Sequence, residues 1–156
     1  MEKYFEKLEL NKIIEILQHY CITEVGKKKL QRLTPSNNRL IVKHLLSETS
    51  QTLTLINSSG NPPISQINDF SKISKLLESN LALSSENLLA TAQILKVSRE
   101  LKKYFFDVDD ISIFDNIENY FNNLYTNVDL ETKIFRSIID KNTVADDAST
   151  ALLSIR

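Results

Sequence analysis

The fold class follows from residues 84–106, which read SSENLLATAQILKVSRELKKYFF. Ser84 or Ser85 followed by Glu86 is typical of a helix N-terminus, because a hydroxyl caps the first free N–H groups and a carboxylate favours the positive end of the helix dipole. Side chains at three- and four-residue steps then form one stripe, in the order Leu88, Ala92, Leu95, Ser98, Leu101 and Phe105. This stretch predicts the longest helix of the chain, with one face in a core.

Four more helices are predicted upstream, each from apolar side chains at helical spacing. Thr23 is placed to cap the second helix, which Pro35 ends, and Ser36 or Asn37 is placed to cap the third. A loop is predicted at residues 58–63, where Gly60 and two prolines interrupt the pattern. The four stripes run from Leu10 to Cys21, from Leu30 to Leu33, from Ile41 to Ile56 and from Phe70 to Leu77, the last with Asp69 as its predicted cap.

Two further helices are predicted after an acidic connection at residues 107–110. The sixth carries a stripe from Phe114 to Leu124, and the seventh one from Leu130 to Ile139 that Asp129 is placed to cap. No sustained two-residue alternation predicts a sheet, although residues 143–145 are compatible with a locally extended chain.

The last residues of the chain start a helix and contain no signal that ends one. Ser149 is a good N-cap, and Leu152 and Ile155 fall three apart on one face. No Gly, Asn or Pro follows them. We therefore expect an all-α chain, a single multi-helix bundle of about seven or eight helices, in which residues 1–148 form a helical core domain and residues 149–156 begin a truncated helix of a longer protein.

Composition narrows the class of protein. The formal net charge is -1 and the sequence pI is about 6.1, which lacks the overall basicity of an autonomous nucleic-acid binder. The single cysteine, Cys21, excludes an intramolecular disulfide and suits a reducing compartment. Neither a signal peptide nor an apolar run long enough for a membrane span is present. We expect a soluble, cytoplasmic protein with no membrane contact.

No catalytic, cofactor or metal site is predicted. A phosphate-binding loop needs more glycine than Gly26 and Gly60 supply, so ATP is not expected to bind this chain alone. His19 and Cys21 are two residues apart and point to opposite sides of a helix, so they cannot hold one metal together. Cys21 is interpreted as a small buried hydrophobic residue. No nucleophile and base pair is supported.

Two basic clusters are the candidate nucleic-acid contacts. Each has two interpretations: a solvated helix face that favours the C-terminal dipole, or a contact with the phosphates of DNA or ribosomal RNA. The first cluster is Lys27, Lys28, Lys29 and Arg32, and the second is Lys96, Arg99, Lys102 and Lys103.

The aromatic side chains and two threonines also admit a functional and a structural interpretation. The aromatic residues suit either stacking on single strands or packing, with packing favoured by their spacing: Tyr4, Phe5, Tyr104, Phe105, Phe106, Tyr120, Phe121 and Tyr125. Thr49 and Thr52 lie on an apolar stripe and are expected to bond to the helix backbone rather than to act in catalysis.

Several local patterns, in this order, resemble the start of the MutS family, specifically its type-two branch. They are Leu8-Glu9-Leu10-Asn11-Lys12-Ile13-Ile14, Thr23-Glu24-Val25-Gly26-Lys27, Leu33-Thr34-Pro35-Ser36, Leu46-Ser47-Glu48-Thr49-Ser50-Gln51-Thr52-Leu53, Pro62-Pro63-Ile64, Ile67-Asn68-Asp69, and Asp147-Ala148-Ser149 with Leu152 or Leu153 and Ile155-Arg156. The resemblance covers nearly the whole chain. Because the core-like pattern already starts at Leu8, the resemblance implies that the mismatch-recognition domain of the type-one branch is not expected ahead of it.

The resemblance implies a helical core from which a lever helix, rooted at residues 149–156, runs toward a clamp. It also implies that a dimeric ATPase domain, requiring ATP and Mg, and a C-terminal endonuclease domain follow in the parent protein, so this chain itself is not expected to be an enzyme. The implied partners of the parent are DNA, in recombination suppression or mismatch-repair-like work, and the ribosome with its rRNA, in rescue of collided ribosomes. The alternative hypothesis is a stand-alone helical adaptor that binds proteins.

Overall fold

The structure is a computed structural model that describes residues 9–64 and 70–155. The described residues form eight α-helices, one 3₁₀ turn and one two-stranded ribbon, so the all-α prediction is confirmed apart from the ribbon. The elements are α1 Leu10–His19, α2 Glu24–Gln31, α3 Arg39–Ser59, α4 Ser71–Glu78, α5 Ser85–Phe106, the 3₁₀ turn Ile111–Phe114, α6 Glu118–Asn122, α7 Val128–Ser137, β1 Ile138–Asp140, β2 Thr143–Val144 and α8 Thr150–Ile155.

The first helices begin and end largely where their capping residues predict. Thr23 Oγ1 accepts the Gly26 N–H at 3.1 Å at the start of α2. The cap of α3 is Asn38, whose Oδ1 accepts the Leu40 and Ile41 N–H groups at 2.9 and 3.4 Å, one residue beyond the predicted Asn37. Gly60 ends α3 with a φ of 78°, a conformation that favours glycine. The predicted cap Asp69 lies outside the described residues.

Helix α5 is the longest of the described helices, as its pattern predicts. Ser84 Oγ accepts the Asn87 N–H at 3.3 Å, and 22 residues give a rod of roughly 33 Å. Its buried side chains are Ala92, Leu95, Val97 and Phe105. Val97 lies off the predicted stripe. Two core clusters use different parts of the rod, so more than one of its faces is buried.

The two core clusters share α5 and differ in what covers it. The first contains Leu55, Phe105, Phe114 and Ile117, with Phe121 stacked on Phe105 at a centroid distance of 4.2 Å. The second contains Ala92, Ile134 and Ile138, so α7 and the start of β1 pack against the first half of α5.

The prediction of one continuous sixth helix is wrong. Its residues form a 3₁₀ turn that Asp110 caps, with its carboxylate 2.9 Å from the Ser112 backbone N, followed by the short helix α6. Ile111 and Phe114 are three residues apart, so their side chains align on one side of the 3₁₀ turn, and this spacing favours the turn at that point. Phe114 and Ile117 are buried in the first cluster.

The seventh helix ends earlier than predicted, and the expectation of no sheet is wrong here. Ile138 pairs with Val144 and Asp140 with Thr143 in an antiparallel ribbon. Ile138 is 7% exposed and Ile139 is 67% exposed, the opposite orientations that successive strand residues take. Two adjacent β-branched residues before a polar turn favour this strand over helix continuation.

The cap of α7 also differs from the prediction. Asn127 Oδ1 accepts the Leu130 N–H at 2.9 Å, while Asp129 lies in the first turn of the helix. None of the helices formed by residues 9–64 and 70–155 has the length and apolar character to cross a membrane.

Candidate functional site

Helices α5 and α7 are joined by an ion pair. Arg99 Nε and Nη2 donate to Glu131 Oε2 and Oε1 at 3.0 and 2.8 Å. Glu131 is 6% exposed. The hydrogen bonds from Arg99 hold the pKa of Glu131 below its usual range against the opposing effect of burial, and they raise the pKa of Arg99. A two-pronged pair of this kind fixes the relative position of the two helices.

The path from α7 to α8 is also held by specific contacts. The Ala145 N–H donates to Ser137 O at 2.9 Å, and the Ala145 side chain is buried. Arg136 Nη2 lies 3.3 Å from Asp147 Oδ2. Ser149 Oγ accepts the Leu152 N–H at 3.1 Å, which confirms it as the cap of α8. The sequence analysis did not predict the pairing of Arg136 with Asp147. Their opposite charges were the only feature of the sequence that pointed to it.

The remaining members of the second basic cluster have different surroundings. Lys102 Nζ donates to Asn122 O and Leu124 O, both at 3.3 Å, and so caps the C-terminal end of α6. Lys96 lies 4.0 Å from Glu100, one turn further along α5. Lys103 is exposed. With Arg99 held by Glu131, these four cations do not form one open face, and their contact with nucleic acid stays a prediction.

The first basic cluster lies on α2 and just after it. Lys27 Nζ donates to Glu24 Oε1 at 2.8 Å, and this hydrogen bond raises the pKa of Lys27 and lowers that of Glu24. Lys28, Lys29 and Arg32 are exposed at the C-terminal end of α2. The structure thus brings these three cations together, and their role also stays a prediction.

A polar network joins α3 to α6 and was missed by the sequence reasoning. Tyr120 Oη donates to Glu48 Oε1 at 2.7 Å, a bond that raises the pKa of the Tyr120 hydroxyl, and His44 Nε2 lies 3.2 Å from the same oxygen. The Asn116 N–H donates to Gln51 Oε1 at 3.0 Å.

The two threonines of α3 bond to its backbone, as predicted. Thr49 Oγ1 donates to Leu45 O at 2.9 Å, and Thr52 Oγ1 donates to Glu48 O at 2.8 Å. These bonds keep both hydroxyls within their own helix.

The structure places the other candidate side chains as follows. Phe105 and Phe121 pack in the core, Tyr120 and Tyr125 are largely exposed, and Tyr4 and Phe5 lie outside the described residues. Cys21 is only partly buried, less than predicted. Within residues 9–64 and 70–155, no three His, Cys, Asp or Glu side chains are grouped so that they could hold a metal ion.

Comparison with known proteins gives one consistent result. No family model matches the chain. A protein named Endonuclease MutS2 from Ruminiclostridium cellulolyticum is 34% identical over 155 residues, which cover 99% of this chain and 20% of that protein. Proteins of the same name are 32% identical in Clostridium botulinum strain Alaska E43 (96% of this chain, 19% of the relative) and in Halothermothrix orenii (99% and 20%). The chain spans about one fifth of the length of these curated relatives.

Proposed function

Because this chain belongs to the MutS2 family, as a region about one fifth as long as its relatives, we propose that it is the helical core that supports a lever helix in a longer nucleic-acid enzyme. In this proposal the region lies at the start of the parent protein. It passes ATP-driven movement of a dimeric ATPase to a clamp around DNA or the ribosome. The chemistry belongs to the parent protein, an ATPase and endonuclease.

The observation that carries the proposal is the continuous set of contacts from α5 to α8. Arg99 and Glu131 fix α7 on α5, Ala145 is buried and bonded to Ser137, and Arg136 pairs with Asp147 immediately before α8. In this proposal a displacement of α5 moves the root of α8 with it, because closely packed interiors transmit strain. These contacts support the role of α8 as the lever root.

The exposed apolar side chains of α8 add support. Leu153 and Ile155 are 60% and 80% exposed. Apolar side chains of a helix usually pack against a partner. In the proposal they contact another part of the longer protein. The stand-alone adaptor hypothesis is not favoured, because the relatives are endonucleases of about five times this length.

The proposal is tested by breaking the connection in the parent protein. We expect Glu131→Gln to leave ATP hydrolysis without nucleic acid within about twofold of the original rate. Its stimulation by a branched DNA duplex, or by ribosomes, should fall at least about fivefold, a coupling loss of ~1 kcal/mol. The matched control is Lys96→Gln, which removes a cation of α5 that makes only a 4.0 Å surface pair with Glu100.

We call the proposed transmission of movement from α5 to α8 the relay. Unchanged stimulation in Glu131→Gln, together with a lowered melting temperature of this region, would contradict it. The target is identified in the same assay, because the ligand that stimulates hydrolysis more strongly at equal concentration is the one that the clamp engages.

A further inference from the structure

One segment of the chain combines several cations with no acidic residue. Residues 25–47 contain no Asp or Glu, although the whole chain has 20. The same segment contains six cations: Lys27, Lys28, Lys29, Arg32, Arg39 and Lys43. The balanced net charge of the chain therefore conceals a local excess of positive charge, which extends beyond the first basic cluster onto α3.

The two acids that border this segment already have partners other than the four cations discussed below. Glu24 pairs with Lys27 at 2.8 Å, and Glu48 accepts from Tyr120 and lies beside His44. Four of the cations are exposed, and their side chains form no hydrogen bond or ion pair with any residue in the part of the chain that the structure describes, namely Lys29, Arg32, Arg39 and Lys43. We name these four residues the α2–α3 basic surface.

The four cations form two pairs, and the members of each pair are spaced to contact neighbouring anions. Arg39 and Lys43 are one turn apart on α3, and Lys29 and Arg32 are one turn apart at the end of α2, so the Cβ atoms of each pair lie about 5–6 Å apart. Lys29 also borders the same depression as Glu48 and Thr49, so the end of α2 lies near the middle of α3.

Three of the four cations in the second basic cluster do not share these properties. Arg99 is held by Glu131, Lys102 caps the end of α6, and Lys96 faces Glu100. Binding phosphate through Arg99 or Lys102 would require breaking contacts that join α5 to α7 and to the end of α6. The side chains of the α2–α3 basic surface can bind phosphate without breaking such contacts.

We infer that the α2–α3 basic surface binds the phosphate backbone of a nucleic-acid duplex without reading its sequence. This inference rests on the nucleic-acid role in the proposed function and assigns part of that role to this region itself. Lys and Arg side chains release counterions from phosphates, which gives sequence-independent, salt-sensitive binding. The naming of the relatives as endonucleases favours nucleic acid over an anionic membrane as the source of phosphate.

The test uses the 156-residue chain and fluorescence anisotropy with labelled DNA and RNA duplexes of about 20 base pairs, between roughly 50 and 200 mM salt. The test variant is K29Q/R32Q/R39Q/K43Q. The matched control, K72Q/K75Q/K133Q/K141Q, removes the same charge from exposed positions elsewhere. We expect the test variant to weaken binding at least about tenfold and to reduce the slope of log K against log salt by about 3–4. The control should change affinity less than about threefold.

A second measurement does not depend on a variant. Acetylation of lysines in the unmodified chain should be slowed by bound duplex at Lys29 and Lys43 and not at Lys72 and Lys75. Circular dichroism establishes that both quadruple variants keep their helix content. Binding to both duplexes is the expected result, because the phosphates are common to DNA and RNA, and the tighter duplex identifies the source.

Three results would overturn the inference: no duplex binding by the original chain at about 50 mM salt, equal loss in test and control variants, or binding to phosphatidylserine vesicles without binding to duplex. None of them affects the relay, which is tested through Glu131 and by ATP hydrolysis. The two proposals can therefore fail separately. The relay can be absent while the chain still binds duplex, and the relay can be present while the chain does not bind duplex.

Discussion

The guanidinium of Arg99 and the carboxylate of Glu131, 32 residues apart in the chain, meet through two hydrogen bonds of 3.0 and 2.8 Å. Glu131 is a buried charge, whereas Arg99 keeps part of its side chain in solvent. An unpaired buried carboxylate would be costly, so the pair specifies how α7 lies on α5.

Removing the charge of Glu131 should therefore weaken the domain. Glu131→Gln loses one strong acceptor, and we expect the melting temperature to fall by about 3–6 °C, since hydrogen bonds to charged groups contribute more than neutral ones. Differential scanning calorimetry measures the change. Lys96→Gln is the control and should shift the melting temperature by about 1 °C or less, because its pair is exposed. Equal shifts of the melting temperature in the two variants would show that the Arg99–Glu131 pair stabilises the domain no more than an exposed pair does.

The same pair predicts a specific dependence of stability on pH. Arg99 lowers the folded-state pKa of Glu131 below the ordinary value of 4.5, so the stabilisation is complete above that value and is lost as the pH falls through the lower folded pKa. We expect the difference in unfolding free energy between the original chain and Glu131→Gln to be constant near neutral pH and to shrink below about pH 4.5. Urea titrations at several pH values measure it.

Other carboxylates titrate in the same acidic range and have to be separated from Glu131. The pKa of Asp110 is lowered by the Ser112 hydroxyl, and that of Asp140 by the Asn142 backbone N–H. Both groups are present in the two proteins, so their effects cancel in the difference. A difference that stays constant down to about pH 3 would contradict the assignment.

The cap of α7 gives a prediction that separates two nearby residues. Asn127→Ala should lower the unfolding free energy by about 1 kcal/mol, because the Leu130 N–H loses its acceptor. Asn127→Asp keeps an acceptor and should be close to neutral. Asp129→Ala removes only a favourable charge from the first turn and should cost less than half as much as Asn127→Ala. Urea denaturation ranks the three variants. A larger loss of unfolding free energy in Asp129→Ala than in Asn127→Ala would indicate that Asp129 caps α7, as the sequence predicts.

The aromatic centre of the first core cluster provides a comparison between neighbours. Phe105 is fully buried and stacks on Phe121 at 4.2 Å, so Phe105→Ala should cost about 3–5 kcal/mol. Phe106→Ala, at a partly exposed position, should cost about 1 kcal/mol or less.

Phe105→Leu is the milder variant if the alanine substitution prevents folding. It should remain folded and lose about 1–2 kcal/mol, the lost aromatic contact included. Denaturant unfolding followed by circular dichroism measures all three changes. Similar losses at Phe105 and Phe106 would contradict the placement of this core.

Local patterns in the sequence were enough to predict most of the helices and several of their ends. The stripe along residues 84–106 and the caps Thr23, Ser84 and Ser149 depend on neighbours within one or two turns, so they can be read without tertiary structure. Thr49 and Thr52 bond within their own helix for the same reason. The quoted patterns also led to the MutS family, which the relatives confirm.

Long-range contacts determined the rest. Which of Asn127 and Asp129 caps α7, and whether Ile138 continues a helix or begins a strand, depends on how α7 and β1 fit against α5. Charge alone could not distinguish Arg99, held by a partner 32 residues away, from Arg39, which remains exposed. Periodicity fixes which face of a segment is apolar, because helix geometry is local. The partner of each polar side chain is fixed only when segments distant in sequence pack together, because the free energy of burying a charge depends on what lies opposite it.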